Sequence, residues 1–120
     1  MITITPEHIS ELIALEAVVS YDKAPLAGQE PFQCIEHNSP VLVSAPHGAR
    51  TYRNSRNQAW HEEDEYTAGM ALLLAKVCGV SAIAMTCRCD YYDPNHSPDP
   101  ETPYKQAVGR ILQQKQVRFV

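Results

Sequence analysis

Three short segments of this 120-residue chain carry residue types that hydrolytic chemistry uses. PHGAR places His47 and Arg50 directly after an apolar run, HEED supplies Glu62, Glu63 and Asp64, and CRCDYYDPNH supplies Arg88, Asp93, Asn95 and His96. Histidine with carboxylate is the donor set that a hydrolytic zinc favours, commonly completed by a second histidine and leaving one position to water. Arginines beside such a centre steady an oxyanion or a substrate carboxylate. Each residue also has a plain structural use. Acids in a first helical turn complement the helix dipole, a histidine after a strand can cap a turn, and Asp93 and Asn95 around Pro94 can hold a bend through their own backbone. Arg50, Arg53 and Arg56 suit a solvated loop as well as an anion site, and Trp60, Tyr91 and Tyr92 suit packing as well as stacking.

The elements between these segments decide whether they meet. TPEHISELIALE opens with Thr5 as a cap and Pro6 in the first turn, and sets Ile9, Leu12 and Ile13 on one face, which predicts a short amphipathic helix. SYDKAPLAGQEP reads as a loop, and FQCIEH and VLVSA read as two strands joined by a tight turn at NSP. The unbroken apolar run at 41–45 requires a sheet covered on both faces. Residues 49–60, ARTYRNSRNQAW, are polar without periodicity and read as a loop. HEEDEYTAGMALLLAKVCG predicts a helix with the acids in its first turn, Tyr66, Met70, Leu73, Leu74 and Val77 on its buried face, and Gly79 just past its end. VSAIAMT reads as a second buried strand, and CRCDYYDPNHSPDPETP as a long loop. Thr102 and Pro103 then open a last helix with Tyr104, Val108, Ile111 and Leu112 as its stripe, and QVRFV begins a further strand.

This order predicts a single α/β domain over 1–120, a mostly parallel sheet flanked by helices in three layers. Ligands gather beyond the carboxyl ends of the strands in such sheets, so all three polar segments share one edge. A net charge of −4 with scattered Lys and Arg weighs against a nucleic-acid partner and leaves a small-molecule substrate as the expected ligand. The stretch MALLLAKVCGVSAIAM is broken by Lys76 and Gly79 and is too short and mixed to span a bilayer. MITITPEHIS lacks a basic start followed by an apolar core, so no membrane partner and a cytoplasmic location are expected. There, Cys34, Cys78, Cys87 and Cys89 are expected as reduced, inert thiols rather than disulfides or metal ligands.

VSAPHGAR, EEDEYTAGMALLLA, an Arg followed by DPN, and PYKQAV, in this order and rough spacing, resemble the N-formylglutamate amidohydrolase family, relatives of the zinc carboxypeptidases. The likeness runs from Val41 onward, about two thirds of the chain. It implies a zinc-dependent hydrolase of a C–N amide or formamide bond in an N-acyl amino acid or similar small molecule. It further implies His47 as the first zinc ligand and Glu63 as the second, with Asp64 and Glu62 as alternatives. Arg88 and Asp93 take catalytic roles, and Arg50, Asn95 and His96 substrate-binding ones. His96 stands where the family has Arg, and Pro94 where it has Leu. The lost Arg removes a fixed fork for a carboxylate, so formylglutamate itself is not the implied substrate.

The family's remaining zinc histidine and its general base lie beyond the strand that resembles VRFV. The chain is therefore expected to correspond to the N-terminal part of such an enzyme, with an incomplete zinc site. That site is inactive, or completed by a second polypeptide, or uses His96 as a third ligand. The competing expectation is a non-catalytic binding or assembly module whose C-terminal strand pairs with another copy in a homo-oligomer.

Overall fold

The computed structural model describes residues 2–53, 59–96 and 101–120. The first helix, α1 (Pro6–Ala17), starts as its sequence predicts. Thr5 Oγ1 accepts the His8 N–H at 3.3 Å and His8 Nδ1 accepts the Thr5 N–H at 3.2 Å, so two of the orphan donors of a helix start are satisfied reciprocally. Its roll differs from expectation. Ile9 and Ile13 are exposed, whereas Glu16 is buried. A buried carboxylate dominates the roll because it has donors to meet elsewhere, as described below.

Strands β1 (Phe32–Ile35) and β2 (Leu42–Ala45) follow, then β3 (Thr51–Arg53), β4 (Ala59–His61), helix α2 (Thr67–Cys78) and β5 (Ser81–Met85). The main sheet has the order β1-β5-β2, with β2 parallel to β5 and β1 antiparallel to it. The α/β class holds, but the sheet is mixed rather than mostly parallel, and the expected hairpin between β1 and β2 does not form. All five β5 residues are buried. So buried a strand must find partners for its backbone on both edges. β2 takes one, and β1, running from Phe32 opposite Met85 to Ile35 opposite Ala82, takes the other. The connection between β1 and β2 is fastened to β5 by Ser81 Oγ, which accepts the His37 N–H at 3.0 Å and donates to the His37 carbonyl at 3.1 Å.

The polar stretch 49–60 is also corrected, because it contains a second sheet rather than a loop. β3 and β4 pair antiparallel with Thr51 opposite His61 and Tyr52 opposite Trp60, whose rings meet edge to face at 5.1 Å. Cross-strand aromatic pairs of this kind stabilise a hairpin that shows little hydrophobic periodicity. The hairpin is joined to the segment after β5 by the Tyr52 N–H to the Cys89 carbonyl and the Cys89 N–H to the Arg50 carbonyl, both 2.9 Å. Arg56 lies outside the described residues.

Helix α2 packs on β2 and β5 and carries α1 on its other side. Its buried face is Ala68, Gly69, Ala71, Leu72 and Ala75, while Met70 and Leu74 are exposed. Of the expected stripe, Tyr66, Met70 and Leu74 are exposed and Leu73 and Val77 are half-buried. Small residues win this face because they let the helix backbone approach the sheet closely, and Gly79 (φ 68°) ends the helix in the left-handed conformation. Gly48 shows how tight the seam is. A Cβ there would lie 2.3 Å from the Met85 carbonyl oxygen and 2.6 Å from the Ala68 Cβ. Gly48→Ala is therefore expected to destabilise the fold by about 1–3 kcal/mol, read as a lower urea midpoint with unchanged slope.

Helix α3 (Pro103–Gln114) is capped by Thr102 Oγ1, which accepts the Lys105 N–H at 3.4 Å, and buries Tyr104 and Ile111. The Tyr104 hydroxyl meets Ser44 Oγ at 2.8 Å and the Ile83 carbonyl at 3.2 Å. The C-terminal segment makes a single parallel bridge, Phe119 beside Val41, rather than a strand. Among the described residues no helix is long and apolar enough to cross a membrane. Burial pushes the Cys34, Cys87 and Cys89 thiols up, which disfavours the thiolate that reactivity and metal binding require.

Candidate functional site

His47 sits in the turn after β2, 7% exposed, with each edge of its ring facing a carboxylate. Nε2 lies 2.8 Å from Asp93 Oδ1, and Nδ1 lies 3.7 Å from Asp64 Oδ2. The backbone sets the second pair, since the Asp64 N–H donates to the His47 carbonyl at 2.8 Å. Asp64 is then held one turn before α2, where its own carbonyl accepts the Thr67 N–H at 3.2 Å and the Thr67 hydroxyl at 2.7 Å. The acids Glu62, Glu63 and Asp64 therefore precede α2 instead of filling its first turn. Their expected place over the helix dipole is taken by Glu16. Its carboxylate reaches from α1 to accept the Tyr66 N–H at 2.8 Å and the Gly69 N–H at 3.0 Å, and the Tyr21 hydroxyl also donates to it.

Asp93 is the best-satisfied group of the site. Its side chain is wholly buried; Oδ1 accepts from the Asn95 N–H at 2.9 Å as well as facing His47, and Oδ2 accepts from Arg53 Nε at 2.9 Å. Burial by itself pushes the carboxyl up, but the hydrogen bonds from His47, Arg53 and the Asn95 backbone outweigh it and bring the pKa down to about 2. An ionised Asp93 can only accept, so in the neutral imidazole the proton sits on Nε2 and the Nδ1 lone pair is left facing Asp64. The turn is also the one expected of Asp93-Pro94-Asn95, a carboxylate bonding the backbone two residues on.

The structure brings together His47, Asp64 and Asp93 of the expected set. Glu63 has no described contact with His47, and Glu62 instead pairs with Arg50 at 3.7 Å. Arg88 grips Asp90 at 2.6 Å and lies over the Trp60 ring at 5.8 Å. The Asn95 and His96 side chains are exposed, and the described tie of His96 to this turn is its N–H on the Asp93 carbonyl at 3.1 Å. One neighbour of His47 escapes a reading of the sequence: His61 stacks on it with ring centroids 3.8 Å apart and planes at 18°. Arg53, expected as one of three arginines of a loop or anion site, holds Asp93. Both come from the β3–β4 hairpin, which a loop reading of 49–60 does not foresee. The alternation of TYR against AWH was the available signal.

The donors can be tested against a zinc ion. Nitrogen and oxygen ligands about 2.0–2.2 Å from a tetrahedral ion lie roughly 3.3–3.5 Å apart. His47 Nδ1 and Asp64 Oδ2 at 3.7 Å fit two corners within a few tenths of an ångström. His61 does not supply a third, because the stacked rings put their in-plane lone pairs in separate, near-parallel planes. Among the described residues no group of three or more His, Cys, Asp and Glu side chains is arranged to hold a metal. A nearby cavity of about 420 Å³, lined by Leu26, Pro31, Arg88, Tyr91, Tyr92 and Pro103, includes neither His47 nor Asp64. No protein-family model, no curated protein and no solved structure matches the chain.

Proposed function

We propose that the chain carries the histidine–carboxylate part of a zinc hydrolase centre of the N-formylglutamate amidohydrolase kind, directed at an amide or formamide bond of a small N-acyl amino acid. One observation carries this reading. His47 Nδ1 and an Asp64 oxygen, both metal-donor atoms, face each other at 3.7 Å while the opposite ring edge is fixed by a buried carboxylate. A positive charge between them, a proton on Nδ1 or a metal ion, satisfies both, and the metal is the occupant proposed here.

In this reading His47 and Asp64 hold the metal, and Asp64 replaces Glu63 as the carboxylate donor. Asp93 positions the His47 ring and fixes its tautomer, which makes it a positioning residue. When bound, zinc supplies a water whose pKa lies near ~7 and a Lewis-acidic point for the carbonyl. Two protein donors give a weak site, so turnover by the chain alone is slow. The assembly reading rests on less, the single bridge of an exposed Phe119 beside Val41.

Zinc titration by calorimetry, run beside an amidase screen, tests the reading. His47→Ala and Asp64→Ala are each expected to weaken zinc binding by roughly tenfold or more. Equal zinc affinity in wild type and His47→Ala removes His47 as a ligand and the hydrolase reading with it.

A further inference from the structure

Among the described residues, three arginines surround the His47 turn, and two are already spent on carboxylates. Arg50 has Nη1 3.3 Å from Asp22 and Nη2 3.7 Å from Glu62. Arg88 gives Nε to Asp90 at 2.6 Å, Nη2 to the same carboxylate at 3.3 Å, and Nη1 to the Asp22 carbonyl at 2.9 Å. Arg53 differs. It gives only Nε, to Asp93 Oδ2 at 2.9 Å, and its two terminal nitrogens have no partner among the described residues. The side chain is 29% exposed.

A guanidinium fastened by Nε keeps its Nη1–Nη2 edge as a planar, fixed fork, the shape that takes a carboxylate through two parallel hydrogen bonds. Everything behind the fork is rigid. Arg53 ends β3 opposite Ala59, and the preceding Tyr52 N–H is bonded to Cys89. Its anchor, Asp93, is wholly buried and shared with His47. One bridging carboxylate therefore separates the guanidinium from the imidazole, a spacing on the scale of a single small molecule.

We propose that Arg53 is the anion-binding residue of the His47 site, its outer edge taking the carboxylate of a small ligand of the N-acyl amino acid class. The rest of the ligand follows from the hydrolase reading above, but the fork itself needs no metal. The test is calorimetric or NMR titration of the metal-free protein with N-acetylglycine and, separately, with N-acetylglycinamide, which differs only in lacking the charge. Wild type is expected to prefer the acid by roughly tenfold or more, the scale of a charge-assisted hydrogen-bond pair. Arg53→Lys keeps a positive charge but no fork, and is expected to lose most of that preference while its circular dichroism and urea midpoint show it folded. Equal binding of acid and amide by wild type overturns the proposal whatever the variant does, as does full acid preference in a folded Arg53→Lys protein. A wild type that prefers the acid but ignores zinc keeps the fork and refutes the hydrolase reading, whereas zinc binding without acid preference removes the fork alone.

Discussion

Asp93→Ala is expected to cost about 3–5 kcal/mol. It removes one partner from a buried ion-pair cluster and leaves the others uncompensated. His47 Nε2, Arg53 Nε and the Asn95 N–H all lose the acceptor they share. Asp93→Asn keeps the shape and one carbonyl acceptor, but presents an amide N–H₂ to groups that are themselves donors, so it is expected to fall between alanine and wild type. The same carboxylate predicts a pH dependence. Its pKa is depressed in the folded protein from the ordinary aspartate value of 3.8 to about 2. Its contribution is therefore fully present above pH 3.8 and is lost as the pH falls through 2. A shift of this size is worth about 2 kcal/mol. Urea midpoints measured between pH 5 and pH 2 should fall more steeply in wild type than in Asp93→Asn. Parallel curves would show that the carboxylate is not held in its ionised form by the cluster.

Glu16→Ala is the second large effect. The carboxylate is buried and serves three donors on two other segments, the Tyr66 and Gly69 N–H groups at the start of α2 and the Tyr21 hydroxyl. Removing it leaves two backbone donors without partners, at about 1–3 kcal/mol each, and deletes the only negative charge bonded to the start of that helix among the described residues. Tyr66, a non-glycine residue at φ 67°, holds a conformation that costs about 1–2 kcal/mol, and loss of the Glu16 bond to its N–H removes part of what enforces it. A destabilisation of about 3–5 kcal/mol is expected. Glu16→Gln, which keeps an acceptor for one of the two backbone donors, should recover part of it. Hydrogen exchange separates this from a general loss of packing: the first turn of α2 should lose protection beyond that of β5. Uniform loss across both elements would contradict the capping role.

Local signals in the chain were dependable. Thr5-Pro6, Gly79 and Thr102-Pro103 mark helix ends, and all three do so for reasons confined to a few neighbouring residues. What the chain conceals is which surfaces meet. FQCI alternates and LVSA is continuous, yet nothing in either says that β5 will stand between them, because that follows from the burial of SAIAM and its demand for two neighbours. The face of α2 is hidden for a similar reason. Hydrophobicity alone ranks Met70 and Leu74 above Ala68 and Ala71, whereas the sheet selects for closeness rather than apolar area. In the site, His47 and Asp93 were legible from residue type, and Asp64 was legible as one of three adjacent acids. The choice of Asp64 over Glu63 depends on where the helix actually starts. That start is set by Glu16, forty-eight positions before Asp64, through a hydrogen bond that no local pattern contains.

The closeness of α2 to the sheet also governs how error travels through the molecule. Alanine and glycine side chains have no rotamers with which to absorb an added atom, so a methyl group introduced along Ala68, Ala71 or Ala75 must be answered by rigid translation of the whole helix. The segment bearing Asp64 moves with that translation, and the β2 turn bearing His47 meets it through Gly48 against Ala68 and through the Asp64 N–H on the His47 carbonyl. Substitutions far from either side chain would therefore register at this joint, and the helix works as a vernier on the distance between nitrogen and oxygen.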